Sequence, residues 1–145
     1  MNKPDFIPYA KQWIDEDDIQ AVVDVLRGDF LTTGPAVAQF GAAVAEVAGT
    51  KYGVAICNGT AALHAAVAAA GIGPGDEVIT SPITFAASAN CALYVGATPV
   101  FADIDPRTYN IDPDDVERKI TSRTKAIIPV HFTGQPCDMD RLREI

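Results

Sequence analysis

The sequence predicts an α/β fold in which a mostly parallel β-sheet is flanked by helices. Beyond residue 50, apolar segments of strand length alternate with segments of helical periodicity. Strands that alternate with helices pair in parallel, because a parallel connection must cross the sheet. The chain has 145 residues, 48% hydrophobic and 21% charged, and is long enough to bury one substantial core. No internal repeat, low-complexity tract or linker interrupts the pattern, which predicts part of one domain.

Two helices are predicted in the first 50 residues. Asp15 is placed to cap a helix over about residues 16–27, and Gly28 to end it. Residues 29–35 read as a loop, and Pro35 begins a second helix that ends near Gly49.

Alternating elements fill the remainder. Strands are predicted at residues 53–57, 77–80, 98–102 and 125–130, and helices from residue 59, at about 83–95, at about 113–120 and from about 138. The glycines of residues 71–76 superficially resemble a nucleotide-binding loop. They follow a helix and precede a strand, the reverse of that motif, so we interpret them as a tight turn.

The segment Asn58-Gly59-Thr60 joins a predicted strand to an alanine-rich helix. The first N–H groups of a helix have no partner within it, and the helix dipole favours an anion there. Gly59 allows close backbone approach and Thr60 adds a hydroxyl donor, so phosphate is the favoured guest. An ordinary N-cap, with Asn58 or Thr60 satisfying the first turn, explains the segment equally well.

Two candidates for ligand contact follow predicted strands, at the edge where open α/β sheets bind ligands. Phe85 could cover a flat ring, or it could be a core residue at the start of a helix. His131 is expected at the rim of the crevice, either as a substrate contact or as a structural hydrogen-bonding residue.

Asp103 and Asp105 place two carboxylates near a strand end, which could hold a divalent metal beside a nucleotide diphosphate. The alternative is a solvated strand terminus, which we favour because Pro106 follows and no clustered ligands complete the site. No metal site is therefore expected. Three well-separated cysteines argue against a disulfide framework and are interpreted as reduced packing residues.

Composition narrows the class of partner. The net charge is −8, without a basic run or stripe, which argues against nucleic acid and against a membrane surface. The longest apolar run, residues 65–72, is too short to span a bilayer, and the N-terminus lacks a signal-peptide core. We expect a cytoplasmic protein with a small-molecule partner.

Seven ordered segments resemble the DegT/DnrJ/EryC1/StrS family of pyridoxal-phosphate (PLP)-dependent sugar aminotransferases. They are Tyr9 with IDEDDI (14–19), LTTGP (31–35), NGTAAL (58–63), GPGDEVI (73–79), PITF (82–85), PVFADID (99–105) and PVHFTGQP (129–136). Within the family, the chain most resembles the transaminases of pseudaminic acid biosynthesis. Those enzymes form UDP-4-amino-4,6-dideoxy-N-acetyl-β-L-altrosamine from a 4-keto nucleotide sugar, with glutamate as amino donor.

The resemblance implies that residues 1–145 form the N-terminal portion of the PLP-binding large domain of a fold-type I enzyme. It implies that Gly59, Thr60 and Ala61 hold the cofactor phosphate and that Phe85 stacks on the pyridine ring. It also implies a homodimer with active sites at the subunit interface. The implied substrate-site residues are Tyr9, Asp29, Phe30, Leu31 and Thr32, with Asn90 and His131 as weaker candidates.

One departure from the family pattern concerns catalysis. Such an enzyme needs a lysine that binds PLP covalently and a carboxylate that keeps the pyridine nitrogen protonated. The five lysines of this chain match no such position. We therefore expect an N-terminal piece that contains no catalytic residue and does not transaminate alone. Two alternatives remain: a metal-dependent sugar-nucleotide transferase using Asp103 and Asp105, and a non-catalytic module that binds PLP.

Overall fold

The computed structural model describes residues 10–145, so Tyr9 lies outside the described part. The chain divides into two units, Met1–Ala55 and Ile56–Ile145. The first contains α1 (Glu16–Arg27) and α2 (Pro35–Ala48). The second contains α3 (Gly59–Ala69), β1 (Glu77–Thr80), α4 (Ala87–Tyr94), β2 (Thr98–Phe101), α5 (Pro113–Lys119), β3 (Thr124–Ile128), a 3₁₀ turn (Phe132–Gly134) and α6 (Met139–Glu144).

Local capping defines the helices of the first unit, as the sequence predicts. Asp15 Oδ1 accepts hydrogen bonds from the N–H groups of Asp17 and Asp18, and Asp18 Oδ2 accepts one from the Asp15 N–H, each at 3.1 Å. This reciprocal arrangement satisfies free donors at the start of α1. α2 begins at Pro35 and ends before Gly49, whose φ of 64° is left-handed.

The predicted strand at residues 53–57 is wrong. No described strand pairs with this segment, and Val54 is 82% exposed. β-prone residues form a strand only where a neighbour supplies a hydrogen-bonded ladder. Gly53 instead lies against Gly41 of α2, where a Cβ on Gly53 would be 2.1 Å from the Gly41 carbonyl oxygen. This backbone contact leaves no room for a side chain.

The second unit is built on a parallel sheet of order β2-β1-β3, which confirms the predicted α/β class. Successive residues of the buried central strand face opposite sides. Val78 packs with Val67 and Cys91, from α3 and α4, on one face. Ile79 packs with Val116 and Leu142, from α5 and α6, on the other. The sheet therefore has helices on both faces.

The predicted helix at 83–95 begins late, at Ala87. Ser81 Oγ accepts a hydrogen bond from the Ile83 N–H at 3.2 Å, so the residues after β1 form a turn first. Serine hydroxyls compete with helix formation in this way. β3 also ends at Ile128, two residues short of the prediction.

Polar contacts secure the ends of the strands. The buried Glu77 carboxylate accepts hydrogen bonds from Thr121 Oγ1 at 2.6 Å and from the Arg123 guanidinium, and these contacts lower the pKa of Glu77. Along β2, the N–H groups of Thr98 and Ala102 donate toward β1.

The outer side of β2 contacts α5. Lys119 Nζ donates to the Phe101 carbonyl oxygen at 2.6 Å. The same ammonium pairs with the Asp115 carboxylate at 2.8 Å, which in turn accepts the Asp103 N–H at 2.6 Å. Lys119 and these hydrogen bonds lower the pKa of Asp115 to about 2.

Candidate cofactor-binding cleft

The candidate site of the second unit lies between the start of α3 and the loop after β1. Because the three strands are parallel, the loops that follow them leave the same edge of the sheet. The loop after β1 carries Phe85, and the loop after β3 carries His131. The fold thus brings the two predicted strand-end candidates to one edge.

The start of α3 combines an N-cap with free donors. Asn58 Oδ1 accepts the Ala61 N–H at 2.8 Å, so the predicted cap is present. The N–H groups of Gly59 and Thr60 have no acceptor among residues 10–145. The cap and an anion site therefore coexist, with the Ala61 N–H committed to the cap and two N–H groups and one hydroxyl left for a ligand.

Gly59 has no structural requirement for glycine. Its φ is outside the left-handed region, and a Cβ built on it would meet no described atom within 4 Å. Neither the backbone conformation nor packing against residues 10–145 explains its lack of a side chain. Close approach of a ligand to the helix start would explain it.

A cleft of about 590 Å³ opens beside these donors. It is lined by Gly59, Thr60, Ala62, Leu63, Ala66, Phe85, Ala87 and Ser88. Phe85 is 77% exposed, which is unusual for a core residue and suits a ring that covers a ligand. A small aromatic phosphate fits this donor set: N–H and hydroxyl donors at one end and an apolar wall with an aromatic ring at the other.

Sequence reasoning missed Ser88, which is buried on α4 and lines the cleft. Its Oγ lies 2.8 Å from Thr84 Oγ1, within hydrogen-bonding distance. The spacing of four residues between two hydroxyl side chains was the available signal. The pair adds a polar group to an otherwise apolar wall.

The two weaker candidates, Asn90 and His131, are not among the residues that line the cleft. Asn90 is half-buried on α4. His131 is exposed, and its Nδ1 accepts a hydrogen bond from the Cys137 N–H at 3.0 Å. His131 therefore has a structural contact on one ring nitrogen and leaves the other for a further partner.

The predicted sugar-site residues Asp29, Phe30, Leu31 and Thr32 lie in the first unit. They line a pocket of about 340 Å³ with the ends of α1 and α2. Phe30 and Leu31 are 62% and 66% exposed. The fifth predicted residue, Tyr9, lies outside the described residues.

Asp103 and Asp105, the two aspartates of the predicted metal-site alternative, form hydrogen bonds with backbone groups of the loop after β2. Asp105 accepts the N–H groups of Arg107 at 2.7 Å and Thr108 at 3.3 Å, and pairs with the Arg107 guanidinium at 3.0 Å. These contacts lower the pKa of Asp105. Asp103 Oδ1 accepts the N–H of Ile104. Across residues 10–145, no group of three or more His, Cys, Asp or Glu side chains is arranged to hold a metal.

A family model described as the DegT/DnrJ/EryC1/StrS aminotransferase family matches residues 12–145. The chain belongs to this family. It is 53% identical over 137 residues to the spore coat polysaccharide biosynthesis protein SpsC of Bacillus subtilis, covering 94% of this chain and 35% of SpsC. The chain thus spans about a third of the length of this curated relative.

Solved structures of aminotransferases share the fold. A proposed sugar aminotransferase from Streptococcus pneumoniae, Spr1654 in its PMP form, matches with a TM-score of 0.88 and 40% identity over 96% of this chain and 35% of that one. An aminotransferase from Psychrobacter cryohalolentis matches with a TM-score of 0.85 and 41% identity over 94% of this chain and 35% of that one.

None of the described helices of the DegT/DnrJ/EryC1/StrS chain is long and apolar enough to cross a membrane.

Proposed function

We propose that residues 1–145 form the N-terminal portion of the PLP-binding large domain of a sugar aminotransferase. The observation that carries the proposal is the cleft at the start of α3, where unpaired N–H groups meet the exposed ring of Phe85. The Streptococcus pneumoniae protein, 40% identical, is known in PMP and PLP forms. A cofactor that joins a phosphate to a flat ring matches both ends of the cleft.

The residues of this chain bind and orient the cofactor. The N–H groups of Gly59 and Thr60 and the Thr60 hydroxyl hold the phosphate, with Ala61 fixing the helix start through its bond to Asn58. Because α3 has 11 residues, its dipole adds to the attraction without a cationic side chain. Phe85 covers one face of the pyridine ring and excludes water from it. When bound, PLP accepts electrons from the bond that breaks at the substrate carbon.

The complete enzyme is proposed to transfer an amino group from glutamate to a 4-keto nucleotide sugar, in surface-polysaccharide or pseudaminic acid biosynthesis. The name of the Bacillus subtilis relative, a polysaccharide biosynthesis protein, supports this class of pathway. Within this chain, Tyr9, residues 29–32, Asn90 and His131 are the proposed substrate contacts. The proposed enzyme is a cytoplasmic homodimer.

The covalently linked lysine is proposed to lie outside residues 1–145. The cleft lining contains no lysine. Lys119, a half-buried lysine at the end of α5, pairs with Asp115 and donates to the Phe101 carbonyl oxygen. The 145-residue chain is therefore expected to bind the cofactor reversibly and not to catalyse transamination.

Titration of the 145-residue chain with PMP tests the cleft directly, because PMP binding needs no lysine. The amide resonances of Gly59 and Thr60 are expected to shift on binding. Thr60→Val removes one donor and is expected to weaken binding about tenfold. Thr98→Val, at an exposed threonine of β2, is the matched control and leaves affinity unchanged. PMP binding that leaves the Gly59 and Thr60 amides unmoved would place the site elsewhere and refute the proposal.

A further inference from the structure

The turn after β3 has a conformation that its own sequence does not favour. Thr133 has a φ of 52° and the following Gly134 a φ of 86°. Left-handed backbone is costly for a β-branched threonine and persists where surrounding contacts enforce it. The contacts that hold this turn therefore matter for the residue that begins it, His131.

Asn110 supplies those contacts from a distant part of the chain. Asn110 is buried and only 3% exposed. Asn110 Nδ2 donates to the carbonyl oxygens of Gln135 at 3.0 Å and Pro136 at 2.9 Å. Asn110 Oδ1 accepts the Phe132 N–H at 2.9 Å. Both the oxygen and the nitrogen of the Asn110 amide thus form hydrogen bonds with one turn, 22–26 residues further along the chain.

This turn also determines which ring nitrogen of His131 carries the proton. The Cys137 N–H donates to His131 Nδ1 at 3.0 Å, and the Cys137 thiol donates to the Val130 carbonyl oxygen at 3.1 Å. A neutral imidazole whose Nδ1 accepts a hydrogen bond carries its proton on Nε2. His131 is exposed at the edge of the sheet where the strands end. Its Nε2–H is therefore a preset donor.

We propose that Asn110 is a positioning residue that locks the turn 131–137, so that His131 presents Nε2–H to an oxygen acceptor of the ligand bound at this edge. Asn110 acts through the turn and through Cys137, without contact to the ligand. The identity of the ligand as cofactor or nucleotide sugar rests on the proposed function. The hydrogen bonds of Asn110 and Cys137 that hold the turn do not depend on the proposed function.

Nitrogen-15 NMR of the His131 ring tests the lock in the 145-residue chain. The wild-type ring is expected to show protonated Nε2 and unprotonated Nδ1. Asn110→Asp keeps the acceptor for Phe132 but replaces both donors with an oxygen facing two carbonyls. This variant is expected to give a mixture of tautomers and at least about tenfold faster exchange of the Cys137 amide hydrogen. Asp112→Asn, in the same segment, exchanges one good N-cap residue of α5 for another and is expected to leave both readouts unchanged.

A wild-type-like tautomer and Cys137 exchange rate in Asn110→Asp would overturn the proposal. Should that variant not fold, the wild-type protein still decides, since a ring protonated on Nδ1 is incompatible with the lock. PMP titration separates the two proposals. If PMP shifts the Gly59 and Thr60 amides, and neither PMP nor a nucleotide sugar added to the PMP-bound chain changes the His131 ring, the ligand contact alone is refuted. No PMP binding with an intact tautomer pattern would refute the proposed function alone.

Discussion

Replacing Gly59 with alanine separates a ligand site from an ordinary helix cap. A Cβ at this position would meet no described atom within 4 Å, and the backbone φ is not left-handed. Alanine is a better helix former than glycine by up to about 1 kcal/mol. Gly59→Ala is therefore expected to make the folded chain more stable by up to that amount.

The same methyl group would occupy the space through which a phosphate reaches the N–H groups of Gly59 and Thr60. A hydrogen bond to a charged group contributes about 1.5–3 kcal/mol. Since about 1.4 kcal/mol corresponds to a tenfold change in affinity, losing one of the two contacts predicts about 10- to 100-fold weaker binding of PMP. The variant is expected to gain stability and lose affinity together.

Thermal unfolding and PMP titration by calorimetry measure the two effects. Gly71→Ala is the matched control, because Gly71 has a φ of 72° and open space around it. This control is expected to lose about 1 kcal/mol of stability and to bind PMP normally. Wild-type affinity in Gly59→Ala would refute the reasoning, because it would leave the N-cap as the whole explanation of the segment.

Three further predictions follow from the same structure. Phe85→Ala, at a ring that is 77% exposed, is expected to weaken PMP binding about 2- to 10-fold with little loss of stability. The control is Phe101→Ala, at an aromatic ring of β2 outside the cleft, which is expected to leave PMP binding unchanged. Calorimetry compares the affinities of the two variants. Asp115→Asn is expected to cost about 2 kcal/mol near neutral pH, because the folded pKa of Asp115 is lowered from 3.8 to about 2 while its side chain is 10% exposed. This contribution is complete above pH 3.8 and is lost as the pH falls through about 2, so urea unfolding across that range should show the two proteins converging in stability. The purified 145-residue chain is expected to transfer no amino group from glutamate to a 4-keto nucleotide sugar with PLP present; turnover by this chain would contradict the proposal that the essential lysine lies outside it.

The features predicted correctly are those that short stretches of sequence determine. The cap of α1 depends on Asp15 and Asp18, three residues apart, and β1 is a short segment centred on the β-branched Val78 and Ile79 between turn residues. The segment 53–57 has the same local character as β1, yet it has no strand beside it among the described residues. Strand formation depends on a partner that composition does not reveal.

The candidate site likewise combines local features that could be predicted from the sequence with long-range contacts that could not. Asn58-Gly59-Thr60 is contiguous, so its free donors could be predicted from one motif. The support of His131 could not, because Asn110 and the turn it holds are separated by 22–26 residues. The late start of α4 is likewise accompanied by hydrogen bonds between Ser81 and Ile83, which helical periodicity does not predict.

The outer side of β2 determines where this sheet can grow. The N–H groups of Thr98 and Ala102 point toward β1, so the backbone groups of Pro99 and Phe101 face away from it. Proline has no N–H to offer a neighbour, and Lys119 already occupies the Phe101 carbonyl oxygen. An incoming strand would lack the donor at Pro99 and the free acceptor at Phe101, so only the Pro99 carbonyl oxygen and the Phe101 N–H would remain to pair with it. β2 is thus a poor edge for strand pairing, and we expect a strand added to this sheet to join it beside β3.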